Sequence, residues 1–211
     1  MAIQRVHGIV LRANPSRDAD LILHILSPDE GKLSVIAKHA RRHKRQFGTT
    51  LEVFDCGRFE LKESKGSLLS LYTFTPETNF KEIRNSLDKI TTASFLCELY
   101  DTFSFEGVKE HASEMYEFLY LALRSLTEEE KTETLLRSTY LCTAQLMMLA
   151  GYLDKEQVGA PSANHFLQLL SHIKNHAEQR IFTEGEMKRL IERVKEKYRG
   201  DSYAKPSQAN Q

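Results

Sequence analysis

The chain has 211 residues, and its 29 Lys and Arg balance 29 Asp and Glu to a formal charge of zero. That balance argues against a protein that coats nucleic acid over its whole surface, while leaving room for a local basic patch. A hydrophobic fraction of 41% suits a globular chain of one large domain or two small ones; the longest apolar runs, "FLYLAL" and "QLMMLAGYL", are too short to span a bilayer.

The opening "MAIQRVHGIVLRANPSRD" has no sustained apolar stretch and no small-residue cleavage site, so it predicts no signal peptide and a cytoplasmic protein. Up to about Pro76 the pattern is short, β-rich and interrupted by turn residues. It predicts five strands: "VHGIVLR", "LILHIL", "KLSVIA", "LEVFDCGRFEL" and "LLSLYTF". In the fourth, Leu51, Val53, Phe59 and Leu61 share one parity, as a half-buried strand requires. Five strands are too few for a sandwich. A small closed barrel removes the exposed edges, and the OB-fold is the common five-stranded solution.

After Pro76 the period changes from two to 3.6. Asn79 with Glu82, Thr127 with Glu130 and Thr183 with Glu186 have capping-box spacing. Apolar stripes accompany them: Ile83, Leu87 and Ile90; Leu135, Thr139, Cys142, Leu146 and Leu149; Met187, Leu190, Ile191 and Val194. Two more helices carry Met115, Phe118, Leu119, Ala122 and Leu126, and Phe166, Leu169, Leu170 and Ile173. Gly151 suits the position just past a helix end. The fold class is therefore α+β, with a five-stranded OB-fold barrel at residues 1–78, an α-helical bundle at 79–199 and a polar, disordered tail at 200–211.

Between the third and fourth strands the chain spends about ten residues on cations. Residues 31–48, "GKLSVIAKHARRHKRQFG", contain Lys32, Lys38, Arg41, Arg42, Lys44 and Arg45 and no acid. Phosphates are the natural partner, because each neutralised phosphate releases condensed counterions. Arg12 on the first strand and Lys32 on the third extend the candidate site, and Phe47 is placed to stack on a base. The competing reading is a solvated loop whose cations only keep it soluble.

Catalytic and metal-binding signals are weak. His7, His24, His39 and His43 lack H-E-x-x-H spacing, and His172 and His176, four apart on a helix, have no third ligand in view. There is no G-x-S-x-G, P-loop or dinucleotide fingerprint. Cys56, Cys97 and Cys142 are odd in number and widely spaced, which predicts buried thiols rather than a zinc site or a disulfide framework. No catalytic residue, metal or cofactor is predicted.

"GIVLR", "DADLILHILSPDEGKLSVIAKHARRHKRQFGTTLEVFDCGRFEL" and "LCTAQLMMLAGYL" resemble the RecO family of recombination mediator proteins, densely over roughly residues 6 to 105. The most specific part is G-K-L-S-x-x-A-K-x-A-R-[RK] followed by F-G, with Gly31, Lys32, Leu33, Ser34, Ala37, Lys38, Ala40, Arg41, Arg42, Phe47 and Gly48 in place. The resemblance implies an OB-fold that binds single- and double-stranded DNA, with Lys38, Arg41 and Arg42 as first contacts, and an α-helical C-terminal part. It further implies a non-enzymatic, nucleoid-associated role in recombinational repair. Such proteins anneal complementary strands and, with RecR and sometimes RecF, help RecA displace single-strand DNA-binding protein, whose acidic C-terminal tail is another implied ligand. Many relatives carry a four-cysteine zinc module after the segment matching "LAGYL"; here "DKEQVGAPSANH" follows, with no cysteine after Cys142. Two alternatives stand beside the annealing protein: an interaction scaffold built on the helices, and an RNA-binding barrel.

Overall fold

The computed structural model of the chain describes residues 3–16, 19–42, 47, 51–64, 68–78, 80–128, 132–158, 168, 169 and 171, with backbone alone at 132–136 and 157. Five strands come first: β1 (Ile3–Ser16), β2 (Asp20–Ser27), β3 (Gly31–Ala37), β4 (Cys56–Lys62) and β5 (Leu69–Thr78). Helices α1 (Leu87–Phe103), α2 (Ala112–Glu128) and α3 (Thr132–Leu149) follow, and described residues 168, 169 and 171 are also helical. Met1–Leu153 form one compact unit and Asp154–Gln211 a second, in which Lys155–Gln157 make a 3-10 turn.

The strands close into a barrel in the order β1-β2-β3-β5-β4. β1 is long because it serves two neighbours: Ile3 to Ile9 pair with β4, and Ile9 to Ser16 pair with β2. A register shift between Val10 and Arg12 turns it from one to the other. Every pairing is antiparallel except the short β3–β5 closure, Val35 with Leu69 and Ile36 with Ser70. Alternation along the strands sends Val6, Val10, Leu23, Ile25, Val35, Phe59 and Leu61 into one core, where the Phe59 and Phe74 rings stack at 4.6 Å.

The fourth expected strand starts later than its pattern suggests. Residues 51–55 are a turn, in which the Asp55 carboxylate accepts the Glu52 N–H at 2.8 Å and the Asp55 N–H donates to the Glu52 carbonyl. Phe54 takes a positive φ of 77°, and its N–H donates to the Val10 carbonyl, tying the turn to the bend in β1.

The helical stripes at Met115, Leu119, Ala122 and Leu126 and at Thr139, Cys142 and Leu146 are buried as their spacing predicts. Two local expectations are corrected. Thr127 caps nothing: it lies in the last turn of α2, its hydroxyl donating to the Arg124 carbonyl at 2.7 Å. Ile83, Leu87 and Ile90 are not one stripe, because extended Ser86 separates a 3-10 turn (Lys81–Asn85) from α1 and resets the helical phase. Ile83 is fully buried while Leu87 is 73% exposed. Asn79, the Thr183 and Glu186 pair, the stripe from Met187 to Val194, most of the stripe from Phe166 to Ile173 and the tail at 200–211 lie outside the described residues.

Candidate nucleic-acid interface

β3 ends at Ala37 and the chain makes a tight turn over residues 38–42. Three backbone contacts hold it. The His39 N–H donates to Asp20 Oδ1 at 2.8 Å, the Arg41 N–H to the Ala19 carbonyl at 2.9 Å, and the Arg42 N–H to the His39 carbonyl at 3.0 Å. His39 itself adopts φ 59°, the left-handed conformation that a sharp reversal requires. Ala40 and Phe47, 4% and 2% exposed, are buried as members of the barrel core. They anchor the basic segment from beneath. Lys38, Arg41 and Arg42 face solvent, and none of the three makes an ion pair with a described residue.

The predicted site residues therefore divide into four groups. Lys38, Arg41 and Arg42 share one exposed, pinned turn, and a cation left open to water in this way is available to a phosphate. Phe47 is corrected: its ring is core, out of reach of a base, because the barrel needs apolar volume where the turn crosses it. Lys44 and Arg45 lie outside the described residues.

Arg12 and Lys32 belong to a different place. Lys32 Nζ lies 2.9 Å from Asp101 Oδ1 and also donates to the Ser104 carbonyl at 3.3 Å, leaving its side chain only 14% exposed. Arg12 reaches Asp101 Oδ2 at 3.5 Å and Glu98 Oε1 at 3.9 Å. His24 Nδ1 is 2.7 Å from Asp101 Oδ1. Arg12, His24 and Lys32 thus stand on the outer face of β1, β2 and β3 and converge on one carboxylate from α1. Burial alone would raise the Asp101 carboxyl, but hydrogen bonds and charge from His24 and Lys32 outweigh it and hold the group below the ordinary carboxylate range. These two cations dock a helix and do not extend the basic turn.

The rest of the motif's first half does the same work. Gly31 has φ +70°, and a Cβ there would lie 2.2 Å from the Val108 carbonyl oxygen, so only glycine admits the α1–α2 connection this close. Lys32 bridges to Glu106 along the backbone, and the Ser34 hydroxyl bonds the Glu106 carboxylate. Sequence reasoning missed Asp101 and Glu106. The available signal for Asp101 was an acid inside the apolar run "FLCELYDTF", where an unpaired charge could not be buried.

Among the described residues, no group of His, Cys, Asp and Glu could hold a metal ion, and no helix is long and apolar enough to cross a membrane. His165, His172 and His176 lie outside those residues. Cys56, Cys97 and Cys142 are free and buried, and burial pushes the Cys142 thiol up to about 12.

Residues 1–80 match the family described as Recombination protein O N terminal. Several full-length relatives are similar over more of the chain. The DNA repair protein RecO of Syntrophus aciditrophicus is 34% identical over 137 residues, 64% of this chain and 52% of the relative. That of Symbiobacterium thermophilum is 31% identical over 153 residues, 72% and 58% respectively. That of Rubrobacter xylanophilus is 31% identical over 153 residues, 72% and 59%. The chain therefore spans between about half and three-fifths of the length of these curated relatives.

Proposed function

We propose that the chain is a RecO-family DNA-binding protein of recombinational repair that anneals complementary strands without covalent chemistry, a reading supported by the match of residues 1–80 to the RecO N-terminal family and by the similarity to DNA repair proteins named RecO. The barrel at residues 1–78 is then an OB-fold that binds DNA. The observation that carries this reading is the solvent-facing turn with Lys38, Arg41 and Arg42 anchored by Ala40 and Phe47. A fixed set of solvent-facing cations releases counterions from any strand it meets, and it screens the repulsion between two strands brought together. In this reading Lys44 and Arg45 are further DNA contacts, while Arg12, Lys32 and Phe47 are not. The protein works in the cytoplasm at the nucleoid, with RecR, and RecF in some settings, and assists RecA on DNA covered by single-strand DNA-binding protein.

A second reading, a scaffold that recruits repair proteins, is favoured by Phe105 and Val108. They are 64% and 48% exposed on the α1–α2 connection, on the helical side of the barrel. Annealing of complementary oligonucleotides by the wild type and by Arg41→Ala/Arg42→Ala separates the two. The proposal expects fast annealing by the wild type and a clear loss in the double mutant with unchanged thermal stability. Equal annealing rates would favour the scaffold.

A further inference from the structure

β5 breaks its own alternation at Tyr72. Leu71 and Phe74, 5% and 4% exposed, both point into the barrel core, although residues three apart in a regular strand face opposite sides. The register explains how: Leu61 faces Leu71 and Glu60 faces Thr73, so Tyr72 is the extra residue of a β-bulge. The bulge keeps both apolar side chains inside and turns the Tyr72 ring outward, where it is 52% exposed. Such insertions characteristically re-aim a side chain at a site. Lys62 Nζ sits 3.2 Å from the ring centroid, so an ammonium covers one side of the ring.

The ring's position ties it to the basic turn. Ser70 pairs with Lys62 on one side and with Ile36 on the other, and β3 and β5 run parallel. Two residues on from that pair stand Lys38 in β3's continuation and Tyr72 in β5. Residues 31–42 and 68–76 contain no acid, and Glu60, outward on β4, is already held by Arg5 at 3.0 Å. Lys38 on the turn and Lys62 beside the ring thus supply cations near Tyr72, while the nearby acids Asp20, which accepts the His39 N–H, and exposed Glu63 lie on β2 and just past β4.

We propose that Tyr72 is a base-stacking platform for single-stranded DNA, with Lys62 and Lys38 carrying the flanking phosphates. The proposal rests on the DNA-binding reading above and adds to it a residue and a strand preference. A base offers its π-face only when it is unstacked, so the ring engages a single strand and is idle against a duplex. Stacking of this kind tolerates any sequence.

Fluorescence anisotropy with labelled oligothymidine and with a duplex of equal length, on the full chain, tests it. Tyr72→Leu should weaken single-strand binding roughly tenfold while duplex binding and the salt slope stay as in the wild type. Tyr72→Phe should bind like the wild type, and thermal unfolding should report both variants folded; Tyr72→Thr, a good strand former, replaces Leu if that variant unfolds early. Unchanged single-strand affinity, or equal losses on single strand and duplex, overturns the proposal when Arg41→Ala/Arg42→Ala still weakens binding. If the double mutant binds like the wild type, the underlying DNA-binding reading fails instead.

Discussion

Asp101 Oδ1 lies 2.7 Å from His24 and 2.9 Å from Lys32, and Oδ2 lies 3.5 Å from Arg12, with the carboxylate side chain only 6% exposed. A buried carboxylate compensated by hydrogen-bonded cations stabilises its site only while it stays ionised. Its pKa is held below the ordinary value, so the contribution is fully present above the unfolded carboxylate value near pH 4. It is lost as pH falls through the lower, folded value. Asp101→Asn should therefore cost about 3 kcal/mol at pH 7, the low end for a broken buried pair because Arg12 remains half in water. The gap between mutant and wild type should narrow once pH falls below the ordinary carboxylate range, and urea unfolding at pH 7 and at a series of acid pH values checks this. Phe47 makes the second residue-scale case. It follows Lys44 and Arg45 closely in sequence, which suggests a base-stacking ring, while its side chain is buried as a member of the barrel core. Phe47→Ala should cost about 3–5 kcal/mol in a denaturation experiment, as core truncations of this size do, whereas an exposed ring would cost almost nothing.

At the scale of elements, β1, β2, β3 and β5 were legible because alternation and turn residues mark them in one dimension. The change of period after Pro76 likewise announced helices. What alternation could not show are the irregularities: the Asp55-closed turn before β4, the phase reset at Ser86, and the bulge at Tyr72, each fixed by contacts between distant segments. The motif around β3 was legible as a unit but not as two halves. Gly31, Lys32 and Ser34 face the α1–α2 connection, whereas Lys38, Arg41 and Arg42 face solvent, and only the fold separates them. Gly31→Ala tests the first half. A left-handed φ and a clash with the Val108 carbonyl should cost at least about 1–2 kcal/mol. They should also raise amide exchange over residues 104–111 more than in the strands. Uniform exchange changes would mean that Gly31 does not set this docking.

For the whole molecule, a formal charge of zero conceals an uneven distribution. Acids from α1 and its following loop, Glu98, Asp101 and Glu106, engage Arg12, Lys32 and Ser34, and Glu30 pairs with Lys109 at 2.7 Å. Part of the neutralisation thus takes place where helices meet barrel, and the turn at 38–42 keeps its charge exposed. Net charge gave no hint of this, while the acid-free run from 31 to 48 did. The most direct test is the dependence of DNA affinity on salt. A plot of log affinity against log salt should fall linearly for the wild type, and for single strands Arg41→Ala/Arg42→Ala should flatten it by about 1.4, two phosphate contacts at roughly 0.7 each. Affinity indifferent to salt, or an unaltered slope in the double mutant, would contradict the account.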